Sequence, residues 1–270
     1  MIGLELGCVA IVLLYVVVRA RRDEKPTRFL SRLVLLMVAS WIGENSVIHL
    51  YGFYAYSPDW SLFVDQVPIM IITIWPVVIH SAWDLAGHLA GSGARRIWLG
   101  SVLVFCDAWL IEPIAVQSGL WWWTVPGLFA VPPIGVLGWA FFAGLCMTCF
   151  DRERPLAALF VGPIGGHVLL LATWWGALRW ISAPIPAWPA VALVAVLSAL
   201  AMAFVIRRRL SQRVPLAEML LRVPAASFFF VLLGIYGRGE WALIAWALAF
   251  GPPWMALTPW KSAKSVVPDR

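Results

Sequence analysis

The 270-residue chain is 62% hydrophobic and 13% charged, with a mean hydropathy of +0.85, whereas soluble domains carry about 25% charged residues. That composition excludes an ordinary soluble enzyme and describes a polytopic membrane protein. The net charge of +6 does not imply a nucleic-acid partner, because seventeen of the twenty Lys and Arg residues fall in alternate connections between apolar segments, as the positive-inside rule requires.

A membrane-crossing helix needs about 20 apolar residues, and nine segments are candidates: 2–18, 32–50, 62–84, 97–116, 128–149, 156–180, 187–206, 216–236 and 240–257. The connections leave no room for a soluble domain. The expectation is an all-α, polytopic integral membrane helical bundle over residues 1–270, with about eight or nine transmembrane helices and proline-broken segments. Nine spans place the N-terminus outside and the C-terminal tail, with Lys261, Lys264 and Arg270, in the cytoplasm. Eight spans follow if the last, short pair is a re-entrant hairpin. The first segment carries Glu5 and its basic residues follow the apolar run, the reverse of a cleaved signal peptide, so it reads as retained. This charge asymmetry fits a bacterial plasma membrane.

In the second segment Glu44, Asn45 and His49 lie toward the outer end, with Trp41 one turn earlier and Asn45 and His49 on one helix face. Tyr51, Tyr54, Tyr56 and Trp60 follow as an aromatic shelf of the kind common at membrane interfaces. The third segment opens with Asp65 and Gln66, is interrupted by Pro68 and Pro76, contains Trp75, and ends in His80, Asp84 and His88. The spacing of those last three permits a metal site, although structural hydrogen bonding explains it as well. Cys8, Cys106, Cys146 and Cys149 all sit in apolar segments, and the lone CxxC has no second pair, so no metal is expected.

The run from Cys106 to Trp139 holds Asp107, Trp109, Glu112 and Pro113, then Trp121, Trp122 and Trp123. An ionisable group in hydrocarbon costs roughly 2.5–3.5 kcal/mol on insertion scales, which makes Glu44, Asp107 and Glu112 candidates for function. Topology gathers Glu44, Asp65 and Glu112 at the outer side. Asp107 and Glu112 would stand about 140° apart on an ideal helix, but Pro113 disfavours helical geometry at Glu112, and a break there would turn both acids into one cavity. Farther on, Gly165 and Gly166 before His167 read as a site of close helix packing, and segments seven to nine as support. No P-loop and no GxGxxG occurs, so no cofactor is implied.

Desolvation penalises the charged form of a carboxyl group, and a carboxylic acid can protonate an alkene if aromatic faces hold the resulting cation, each ring contributing about 2 kcal/mol when desolvated. Trp41, Tyr54, Tyr56, Trp75, Trp109, Trp121, Trp122, Trp123 and Trp139 are the candidate substrate-binding rings, and Glu44, Asp65, Asp107 and Glu112 the candidate catalytic acids and bases.

Taken in order, GENSVIHLYGFYAY, VPIMIITIW, CDAWLIEP, GLWWW and VPPIGVLGW resemble the membrane carotenoid-biosynthesis family that includes the carotenoid 1,2-hydratases and bisanhydrobacterioruberin hydratases. The resemblance covers about residues 40–140. It implies an enzyme that adds water to the terminal double bond of an acyclic carotenoid, and it extends by motif position to Glu44, Tyr54, Tyr56, Pro68, Trp75, Asp107, Glu112, Pro113, Trp121, Trp123, Pro132, Gly138 and Trp139. The family pattern resembles YYGVP followed, two residues on, by Asn; this chain has Leu128, Phe129, Ala130 and then Gly135. Loss of that amide implies a drier pocket, which leaves a cyclase or isomerase of a polyprenyl or carotenoid chain as the alternative to a hydratase. The non-enzymatic alternative is an isoprenoid-binding or transport protein. The partners expected are a lipophilic isoprenoid or carotenoid, water and membrane lipid; the sequence leaves oligomeric state open.

Overall fold

A computed structural model describes residues 1–259; the basic C-terminal tail lies outside them. Among the described residues eight helices are long and apolar enough to cross a membrane: α1 (Ile2–Arg22), α2 (Pro26–Tyr51), α3 (Ile69–Ala90), α4 (Ala94–Gln117), α5 (Pro133–Asp151), α6 (Ala158–Gly176 after a short 3₁₀ turn), α7 (Ala187–Arg207) and α8 (Leu216–Tyr236). The ninth candidate segment is instead a pair of short helices, α9 (Trp241–Ala249) and α10 (Gly251–Leu257). Pro252 and Pro253 have no N–H to continue the ladder of α9, so the chain restarts there. The protein is an integral membrane helical bundle.

The prolines divide into two groups. Pro26 and Pro133 start helices at positions whose N–H has no intrahelical partner anyway, while Pro76, Pro113, Pro163 and Pro224 lie inside continuous helices. The break expected at Pro113 is therefore absent: α4 runs unbroken from Ala94 to Gln117. Without an N–H at Pro113 the carbonyl of Trp109, one turn back, loses its helical donor. Trp246 of α9 supplies a replacement, its Nε1 donating to Trp109 O at 2.9 Å. Neighbouring helices re-satisfy a proline-freed carbonyl in this way within membranes.

Within their apolar spans α3 is 61% and α5 56% buried, against 17% for α1 and α7, so α3, α4 and α5 form the centre and the others wrap it. Gly162 and Gly165 bring α6 close to α5, where an added Cβ would meet Cys146 Sγ at 2.6 Å and Leu145 Cδ1 at 2.7 Å. Arg28 to Glu153 at 2.5 Å, Gly93 N to Asp151 at 3.3 Å and Arg213 to Leu89 O at 3.5 Å join the arginine-rich connections at one end of the bundle.

At the opposite end the chain departs from all-helix. Strand β1 (Tyr54–Tyr56) pairs antiparallel with β4 (Trp121–Trp123), in the register Tyr54 to Trp123, Ala55 to Trp122 and Tyr56 to Trp121. A second hairpin, β2 (Phe63–Val64) and β3 (Val67–Pro68), turns at Asp65, whose φ of 57° suits an Asp better than most side chains. Trp41, Asn45 and His49, one turn apart along α2, all hold this hairpin: Trp41 Nε1 donates to Val64 O at 3.1 Å, Asn45 Nδ2 to Asp65 Oδ2 at 2.8 Å, and His49 Nε2 lies 2.6 Å from the same oxygen.

Candidate functional site

Side chains alternate across a strand, so Tyr54, Tyr56, Trp121 and Trp123 face one side of the β1–β4 ribbon and Ala55 and Trp122 the other. The first four line a cavity of about 80 Å³ beneath the ribbon, together with Glu44, Glu112, Trp75, Trp139, Phe142 and His167. Trp122 is 48% exposed on the far face. The ribbon is thus a lid, clamped by Thr124 N to Phe53 O at 2.8 Å and by Trp60 Nε1 to Leu120 O at 3.1 Å.

Each strand of the lid holds one acid. Tyr56 on β1 donates its hydroxyl to Glu44 Oε2 at 3.0 Å. Trp121 and Trp123 on β4 donate their indole N–H groups to Glu112 Oε2 at 2.8 and 3.3 Å. Indole is a donor only, and two donors on Oε2 leave Oε1 as the oxygen of Glu112 on which a proton can sit. The same donors stay in place as hydrogen bonds to an anion when that proton leaves. Trp75 and Trp139, which line the same cavity, stack with ring centroids 3.7 Å apart and 18° between planes, and aromatic rings of this kind attract a desolvated cation.

The approach to α5 is held in an unusual way. Phe129 and Ala130 have φ of 52° and 59°, and Leu128 and Val131 exchange both backbone hydrogen bonds across them at 2.9 and 3.0 Å. Positive φ at both central residues is the two-residue hairpin turn that normally takes Asn-Gly or Gly-Gly; a β-carbon there costs on the order of 1–2 kcal/mol per residue. Gly127 has no alternative, since a Cβ would lie 1.9 Å from Val131 O. The turn delivers Pro132 and Pro133 to the start of α5 and sets Gly135 under Trp123, where a Cβ would approach the ring to 2.3 Å.

The four candidate acids separate. Glu44 and Glu112 share the cavity. Asp107 does not, because the unbroken α4 keeps it on a different face from Glu112; it pairs with Arg222 of α8, which also donates to Ser81 Oγ at 2.8 Å, and it faces a second cavity. Asp65 is 45% exposed in its hairpin turn, where hydrogen bonds from Asn45 first, then His49, hold its carboxyl below the ordinary range. Among the rings, Trp41 anchors the β2–β3 hairpin and Trp109 packs against Phe105 and Trp246.

The stripe at the arginine-rich end resolves into an ionic cluster: Arg19 Nε lies 2.8 Å from Asp84 Oδ2, His80 Nδ1 3.2 Å from it, and Tyr15 OH 3.0 Å from the His80 ring. Among the described residues no group of three or more His, Cys, Asp or Glu is placed to hold a metal ion.

Sequence reasoning gave no role to His167. In α6 it lines the acid cavity and bonds to Ser46 Oγ at 2.7 Å and Tyr51 OH at 2.9 Å, tying α6 to α2. A polar ring inside a glycine-rich apolar span was the available signal.

No curated protein and no solved structure matches this chain. The family model for carotenoid biosynthesis proteins matches residues 4–197, which run from the first turn of α1 to the middle of α7 and include both strands of the lid and both cavity acids. With more than two thirds of its length so matched, the chain belongs to the carotenoid biosynthesis protein family.

Proposed function

We propose that this protein hydrates the terminal 1,2 double bond of an acyclic carotenoid, a cofactor-independent hydro-lyase reaction written in the direction of water addition. The observation that carries the reading is the pair of acids under one lid, Glu112 bound through Oε2 by two indoles and Glu44 by one phenol. Glu112 Oε1–H gives its proton to the less substituted alkene carbon, and the positive charge falls on the tertiary carbon beside the Trp75–Trp139 stack. A water oxygen bonds to that carbon, and Glu44 takes the proton that water releases. Return of one proton from Glu44 to Glu112 closes the cycle, so alkene and water become a tertiary alcohol with no net proton. Asp65 and Asp107 take no chemical step in this reading, and Trp41, Trp109 and Trp122 touch no substrate.

General acid catalysis of this kind contributes about 10²- to 10⁴-fold. The test is expression in a bacterium that makes an acyclic carotenoid, with mass analysis of the pigments. A product one or two waters heavier, lost in Glu112→Gln while the protein still binds pigment, supports the hydratase; unchanged conversion by Glu112→Gln refutes the assignment. An isomeric product would instead support cyclisation or isomerisation. Pigment bound without conversion by the wild type would support a binding or transport role. The lid faces the outer side of a bacterial plasma membrane in this proposal, because the arginine-rich connections lie at the other end.

A further inference from the structure

The acid cavity, at about 80 Å³, holds an end group and little more, whereas the cavity bordered by Asp107 and Arg222 is about 330 Å³. A third, of about 40 Å³, lies between them and has no charged residue in its wall. It shares Trp75 and Trp121 with the acid cavity, and Ile11, Val78, Ile111 and Phe229 with the large one. The three spaces therefore adjoin one another. The sequence of spaces runs from the lid to the interior between α1, α3, α4, α8 and the α9–α10 pair. At its far end the apolar wall is interrupted by the Arg222 guanidinium, which bonds Asp107 and Ser81 and lies 4.5 Å from the Trp254 ring centroid.

We infer that the large cavity between α1, α3, α4, α8 and the α9–α10 pair is a second binding compartment that takes the remainder of the same isoprenoid chain whose end group lies at Glu44 and Glu112. The inference rests on the proposed placement of the reacting end under the lid. Its content is chain-length selection: a long polyene fills the middle and large cavities, and a short isoprenoid occupies the acid cavity alone. One elongated occupant accounts for the shared walls and for the absence of charge between the two polar ends, features that separate sites for two small ligands do not require. Trp75 and Trp121 stand where the chain passes from the acid cavity into the middle one.

Ala226 and Leu220 border the large cavity and neither takes part in the ion pair or touches the acids. Leu220 is 56% exposed, so a larger residue there is compatible with folding. The experiment compares Ala226→Phe and Leu220→Trp with wild type, as full-length protein in detergent, for binding of a short acyclic isoprenoid and a long acyclic polyene followed by tryptophan quenching. The inference expects affinity for the long polyene to fall about tenfold and affinity for the short one to stay within about twofold. Equal loss for both probes, or no loss for the long one, overturns it. Unchanged long-chain affinity with displacement of co-purified phospholipid would assign the cavity to lipid and overturn it as well. Binding is read apart from chemistry: Glu112→Gln that retains turnover defeats the acid assignment, whatever the chain-length result.

Discussion

Glu112 and Asp107 lie five residues apart on one helix, both deeply buried, and they meet opposite environments. Glu112 receives neutral N–H donors from the lid; Asp107 receives the guanidinium of Arg222. A carboxyl group bound by an arginine becomes part of the framework, whereas one held by indoles through a single oxygen keeps its other oxygen for chemistry. The unbroken course of α4 past Pro113 produces this division, by directing the two side chains to different sides of the bundle.

The largest expected effect breaks the comparison at its functional side. Glu112→Gln keeps the shape and the acceptor for Trp121 and Trp123, and carotenoid conversion should drop about 10²- to 10⁴-fold, whereas Asp107→Asn should leave conversion per folded molecule within a few-fold of wild type. The reverse ordering of the two would overturn the division of roles. On the stability side the ranking inverts: Asp107→Asn leaves the Arg222 charge unmatched, at a cost of about 3–5 kcal/mol. Thermal denaturation in detergent should show that loss, and should recover much of it in the double variant Asp107→Leu with Arg222→Met.

A smaller perturbation sharpens the picture of the acid. Trp123→Phe removes the longer of the two indole bonds, and conversion should fall about tenfold, the equivalent of one hydrogen bond to a charged group. Gly135→Ala pushes the same ring and should imitate it; near-wild-type activity in both would show that Trp121 alone orients Glu112. Ala130→Gly relieves a positive-φ strain and should raise stability by about 1 kcal/mol, measurable as a higher thermal midpoint.

The smallest effect concerns the β2–β3 hairpin. The Asp65 pKa is depressed in the folded protein, so the hold of Asp65 on Asn45 and His49 is present above the ordinary carboxylate value of about 3.9 and is lost as pH falls through the lowered one. Hydrogen exchange across residues 63–68, corrected for intrinsic rate, should rise in that acid window and show no such rise in Asp65→Asn.

Several features were legible in the sequence because they depend on local composition. Apolar runs of helix length and alternate basic connections determine a polytopic bundle, and acids retained in such runs mark Glu44 and Glu112 for attention. The ordered motifs between residues 40 and 140 carry the resemblance to the family whose model matches residues 4–197. Other features depend on pairings between residues distant in the chain. Tyr54 and Tyr56 read as part of an interfacial shelf and Trp121–Trp123 as candidate substrate-binding rings; only their antiparallel register makes a lid that places a phenol on one acid and two indoles on the other.

The sequence by itself determined that the chain is a bundle of eight or nine apolar helices, since hydrocarbon thickness and backbone hydrogen bonding act on each segment alone; that the last segment is a pair of short helices came from the structure. Tertiary structure decided whether Pro113 breaks its helix, because the answer lies in Trp246, more than a hundred residues away, which satisfies the carbonyl that proline abandons. It likewise decided which buried carboxyl group meets an arginine and which meets indoles. Partners brought in from α8 and β4 set the chemistry of Asp107 and Glu112, and no local pattern on α4 encodes them.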